Sequence, residues 1–163
     1  MGTETEALLA SLNAQRRHVL GILEGLSDEA LRRPVLPSGW TCLGLVRHLA
    51  LDVERFWFRE VIAGETIDLD GGADVAWQVA ADEPVDTVFD LYRHEIELAS
   101  AIIAATPPDA APAWWPEDLF PNFRMHDLRE TVLHVITETA CHAGHLDAAR
   151  ELIDGRTWLV LTD

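Results

Sequence analysis

Cysteine is scarce in this chain, with only Cys42 and Cys141 among 163 residues. Two thiols cannot build a disulfide framework, and they suit either a reducing compartment or burial. Long apolar runs are missing too, and nothing approaches the roughly 18 consecutive apolar residues of a membrane span. The opening stretch MGTETEALLASLNAQ has no basic segment ahead of an apolar one, so it does not read as a secretion signal. Gly2 is followed by Thr3-Glu4-Thr5-Glu6, a helix start rather than a lipidation motif. Positive charge is the third shortage. Twelve Lys plus Arg face 28 Asp plus Glu, a net charge of −16 with His neutral. So acidic a chain repels phosphate backbones and anionic bilayers, which excludes nucleic acid and membrane as expected partners. A soluble cytoplasmic protein is the expectation.

Hydrophobic residues make up 48% of the chain, enough to fill a core, and its length suits a single domain over 1–163. No segment alternates like a strand, and there is no internal repeat. Four segments carry helical periodicity. The first spans about residues 5–26, with Leu8, Leu12, Val19 and Leu23 on one side and Thr3 with Glu6 as a capping box. Residues 27–39, with Pro34, Pro37 and Gly39, read as a loop. The second helix starts on an N-cap at Thr41 and ends near Gly64. Residues 65–83 form a long acidic connection holding Gly71-Gly72. Asp82 and Pro84 start the third helix, which Pro107-Pro108 stop. Asp127 with Glu130 opens the fourth, which runs to Asp154 ahead of Gly155. In the tail, Trp158 and Leu159 are expected to pack back on the helices. The pattern predicts an all-α four-helix bundle with long connections.

The chain has seven histidines, three of them between positions 134 and 145. At about 100° per residue, Glu130, His134, Glu138 and His142 step along one face of the fourth helix, with Cys141 and His145 in the same arc. Ala149 and Leu152 enter that sector next, so the face is expected to point inward. A carboxylate and imidazoles inside a bundle need partners, and a divalent metal is one. Glu138 and His142, four residues apart, can grip an ion from a single helix; a simple helical ion pair is the alternative. His48, in the apolar stretch Leu45-Val46-Arg47-His48-Leu49, is the best third ligand, with a hydrogen-bonded core imidazole as the alternative. Asp52, one turn on, can orient the His48 ring. His134 and His145 are further candidates to sit behind the ligands. His18, His94 and His126 lie in charged surroundings and read as surface residues. No H-E-x-x-H, C-x-x-C or Gly-rich phosphate loop occurs, and the Glu-to-His spacing differs from that of bundle di-iron sites.

The arrangement S-G-W-T-x-L-G-L-V-R-H-L-A at 38–50, with E-T-A-x-H-A-G-H-L-D-A-A-R-E-L-I-D-G at 138–155, resembles the DinB-like superfamily. It is most similar to the branch holding mycothiol-dependent maleylpyruvate isomerase and other thiol-dependent transferases. The resemblance implies an up-up-down-down bundle, often dimeric, with a divalent ion such as zinc or nickel at one end. It implies His48, Glu138 and His142 as the ligands. That isomerase carries an additional C-terminal domain with no counterpart here, so the resemblance extends to the metal domain. Two imidazoles and one carboxylate leave an open coordination position, the pattern of a catalytic site. Mycothiol or a related low-molecular-weight thiol bound there would attack a small electrophile as its thiolate. Trp40, Trp114, Trp115 and Arg150 are pocket-lining candidates. Arg150 is expected to hold a substrate carboxylate, with an ion pair to Asp147 or Glu151 as the alternative. The alternative function is a non-catalytic metal- or ligand-binding bundle associated with stress, which expects a closed coordination shell and no adjoining pocket.

Overall fold

The computed structural model describes residues 2–67 and 73–159, and all the regular structure among them is helical. Gly71-Gly72 and the last four residues of the tail lie outside the described residues. Helix α1 spans Thr3–Leu23, α2 Asp28–Arg32, α3 Cys42–His48, α4 Val85–Ala105 and α5 Leu128–Asp154. The α1 helix lies along α5, while α3 and its continuation lie along α4 and also meet α5. Val19, Leu43, Val46, Phe58, Val88 and Leu146, all fully buried, fill the space between them.

Several ends follow the expected capping chemistry. Thr41 accepts from the Gly44 amide at 3.0 Å, and Asp127 accepts from the Glu130 amide at 2.8 Å. Gly155 ends α5 in the left-handed conformation, with φ of 78°. Trp158 and Leu159 do return to the bundle: their amides donate to the two Asp147 carboxylate oxygens at 2.7 and 2.9 Å.

Other expectations need correction. The cap of α1 is Gly2, with no side-chain bond, so Thr3 lies inside the helix. The stretch 27–39 is not all loop, because Ser27 accepts from the Ala30 amide and caps the short α2. Pro84 precedes α4 as its cap and does not enter the first turn.

The largest departure is in the second long segment. After His48 the winding widens into a π-helical run, Leu49–Ile62, closed by Ala63 N–H donating to the Phe58 carbonyl at 3.0 Å. Runs of i→i+5 winding are rare and concentrate at functional sites. This one starts directly after His48 and carries Asp52, Phe56 and Trp57. It also carries Glu54, whose carboxylate, with a side chain 1% exposed, takes both Arg16 Nε and Nη2 from α1, at 2.7 and 2.5 Å. Glu95 of α4, fully buried, receives Arg55 and Arg59 from the same run. These pairs hold the widened helix against α1 and α4.

Candidate active site

Three elements converge on one side of the bundle: the junction of α3 with the π-helical run, the middle of α5, and a short 3-10 helix, Ala73–Trp77. The His48 and His142 rings meet edge to face with centroids 5.0 Å apart. His48 Nδ1–H donates to Asp52 Oδ2 at 2.8 Å, which fixes the tautomer and leaves Nε2 with its lone pair free. Glu138 Oε2 lies 3.6 Å from His142 Nε2, and the other nitrogen, His142 Nδ1, is buried without a partner.

Trp77 covers this group. Its indole stacks on His48 at 4.1 Å and 19°, and presents an edge to His142 at 6.2 Å. The approach depends on Gly44, where a β-carbon would stand 2.5 Å from the Trp77 carbonyl oxygen. Beside the group opens a cavity of about 600 Å³, with Val53, Phe56, Trp57, Leu119, Phe120 and Phe123 as its apolar wall. His48, Asp52, His134 and Glu138 form its polar end.

The model of a family described as mycothiol-S-transferase matches residues 7–155. The chain belongs to the mycothiol-S-transferase family. At family level this is a thiol-dependent transferase. Comparison with curated proteins and with solved structures gave no match. In this member of the mycothiol-S-transferase family, polar side chains and an apolar cavity share one wall.

The structure brings together His48, Asp52, His134, Glu138 and His142. It places the stripe on α5 differently from the inward orientation expected. The buried face runs through Val135, Thr139, Ala143 and Leu146, and the stripe flanks it, with His134 and Glu138 lining the cleft. Leu152, one of the two apolar residues that suggested burial, is 59% exposed. Cys141 is exposed, whereas Cys42 is buried and its thiol is pushed up to about 11 by burial. His145 is exposed, 5.6 Å from His142 and 6.3 Å from Trp40 between ring centroids. His134 packs edge-on against Trp57 at 4.9 Å, and burial lowers its pKa.

The remaining pocket candidates sit elsewhere. Trp115 backs the cavity wall, tilted against Trp57 at 6.0 Å, and Trp114 is 45% exposed beyond Phe56. Arg150 does not line this cavity. Its guanidinium bonds Asp154 and donates to the Ile22 and Glu24 carbonyls at 2.6 and 3.0 Å, so it caps the C-terminal end of α1. The residues unforeseen as site components are Trp77, Phe120 and Phe123, together with Phe56 and Trp57, whose helical spacing reads as ordinary packing.

Among the described residues, no three His, Cys, Asp or Glu side chains stand close enough to hold a metal ion as they are placed. The donor chemistry nevertheless fits a divalent cation. Burial, and then the neighbouring His48, push the His142 pKa down to about 4 against the opposing pull of Glu138, so its ring is neutral near pH 7. A neutral imidazole with an orphaned buried nitrogen, a second imidazole pinned by a carboxylate, and a free carboxylate form a recognised ligand set.

The same shift has a consequence for stability in ion-free protein. His142 titrates near 6.5 when unfolded and near 4 when folded, so between those values the unfolded chain binds the extra proton. Stability is therefore full above pH 6.5 and falls as pH drops, with His142 contributing about 3 kcal/mol of that loss by pH 4. Urea unfolding of chelator-treated protein across pH 4–8, wild type against His142→Ala, isolates this contribution. A flat difference between the two curves would contradict it.

Proposed function

We propose that this chain transfers a low-molecular-weight thiol of the mycothiol type to a small electrophile, with His48, Glu138 and His142 holding a divalent ion. The observation that carries the reading is the apolar cavity of about 600 Å³ lined by His48 and Glu138, with the His142 ring against His48 behind it, within the size range of small-molecule sites. A bound divalent ion, zinc or nickel by resemblance, supplies positive charge that keeps a thiol as its thiolate at neutral pH. Asp52 accepts from His48 Nδ1–H and holds the ring with Nε2 forward. Trp77 shields the His48–His142 pair from water, which strengthens every electrostatic interaction there. The aromatic wall positions the electrophile with its reactive carbon toward the polar end. An adjoining cavity favours turnover over a bundle that only stores a ligand.

The test couples a binding readout to a chemical one. Zinc-loaded protein is given mycothiol and a panel of electrophiles, and S-conjugates are followed by mass spectrometry. Conjugate formation above the uncatalysed rate is expected, and its absence across the panel overturns the transferase reading. Asp52→Asn is expected to weaken zinc affinity about 10–100-fold, the range for an outer partner of a ligating His. Competition with a fluorescent chelator checks this. An unchanged affinity removes His48 from the ligand set.

A further inference from the structure

We infer that the electrophile taken by this site is an uncharged, flat, apolar molecule, and that electrophiles bearing a carboxylate are rejected. The inference rests on the transferase reading and adds the chemical class of the acceptor. Three observations carry it.

The wall is built of rings set face and edge to one another. Phe120 stacks against Trp57 at 5.5 Å and 27°, Phe56 meets Trp57 edge-on at 4.8 Å, and Phe123 meets Phe120 edge-on at 6.1 Å. Such rings favour another flat ring, through offset or edge-to-face contact.

The polar end holds two carboxylates and no cationic partner beyond imidazole. Asp52 and Glu138 line the cavity, and none of the chain's arginines does. The sequence contains no lysine at all. A divalent ion held there does not reverse the balance, because its two charges are formally matched by Glu138 and Asp52.

The arginines nearest in sequence have partners outside the cavity. Arg47 pairs with Glu83, Arg55 and Arg59 pair with Glu95, and Arg124, next to Phe123, lies over the Trp115 ring and pairs with the exposed Glu117 at 3.1 Å. Arg150, the one residue expected to hold a substrate carboxylate, serves the end of α1 instead. A carboxylate entering the cavity would lose water and find no arginine or lysine to replace it, which disfavours it.

In a balanced step of this class, the thiolate sulfur forms a C–S bond to an aryl carbon while chloride leaves with the C–Cl electron pair. The thiol proton passes to solvent.

Isothermal titration calorimetry on the full chain compares 1,3-dinitrobenzene with 3,5-dinitrobenzoate, unreactive compounds differing by one carboxylate. Binding of the neutral compound is expected to be tighter by more than about tenfold. Equal or tighter binding of the benzoate, or no binding of either, overturns the inference. Phe120→Ala is expected to weaken the neutral ligand, and Leu119→Arg, at an exposed position on the rim, to narrow the preference. Far-UV circular dichroism confirms that both variants remain folded. Turnover separates the two layers of argument. With mycothiol, 1-chloro-2,4-dinitrobenzene is expected to exceed 4-chloro-3,5-dinitrobenzoate in kcat/KM by more than about tenfold. Preferential turnover of the carboxylate keeps the transferase reading and sinks the acceptor class. Preferential binding with no turnover of either compound keeps the ligand class and sinks the transferase reading.

Discussion

Glu54→Ala is expected to destabilise the protein by about 3–5 kcal/mol, the cost of leaving one member of a buried ion pair without its partner. Arg16 is 2% exposed and commits Nε and Nη2 to Glu54, while Nη1 reaches Asn13 and Ser100 at 2.8 and 3.0 Å. Removing the carboxylate leaves a buried guanidinium unpaired, near enough to feel Tyr92, whose hydroxyl is itself buried without a partner. The double change Arg16→Met with Glu54→Leu removes both charges and keeps much of the volume, so it is expected to recover most of the loss. Chemical denaturation of the three variants measures this, and a single-variant cost under about 1 kcal/mol would mean that the pair is already solvated.

That pair also shows what the sequence hides. Glu54 stands in V-E-R-F and Arg16 in A-Q-R-R, contexts that read as charged and exposed. In the run after His48, Glu54 is buried against Arg16 of α1. The winding itself leaves no trace in the hydrophobic pattern, because the buried rows Leu49, Val53, Trp57, Val61 and Ala50, Glu54, Phe58, Ile62 step by four. A four-residue step serves an α-helix and a π-helix equally well. Local chemistry was legible where a single side chain decides it: Thr41 and Asp127 cap their helices because each offers an oxygen to an amide three residues on.

The candidate site was legible in part for the same reason. The spacing of Glu138 and His142 follows from helix geometry, and so does the reach from Asp52 back to His48. Depth was not legible. Leu152 suggested an inward face for the stripe, yet it is 59% exposed while Ala149 and Arg150 beside it are buried, so it lies on the outer side of α5. Arg150 lies two turns beyond His142, about 12 Å along the axis, far enough to meet the end of α1 instead of the cavity. Trp77 sits in an acidic connection with no periodicity, and its place over His48 depends on a contact with Gly44 more than thirty residues away.

His142→Ala is expected to lower zinc affinity by more than about 100-fold, beyond the range for an outer partner, and to abolish S-conjugation, while the fold holds. The reasoning turns on opposite signs. A residue kept for packing costs stability when removed. His142 buries Nδ1 without a partner, a condition that costs the folded state about 1–3 kcal/mol. Truncation removes that cost, and it opens a small space against Trp77 and His48, which offsets part of the gain. Above pH 6.5 the variant is therefore expected to match the wild type within about 1 kcal/mol, and near pH 4 to be the more stable of the two, because it has no buried imidazole to protonate. Arg150→Met is the counter-case: it removes the cap from α1 and is expected to cost stability without touching zinc affinity. If His142→Ala loses stability at neutral pH and keeps its affinity for zinc, the imidazole pair is packing and the ligand assignment fails. If it holds its fold and loses the ion, a stability cost has been retained at this position for chemistry alone.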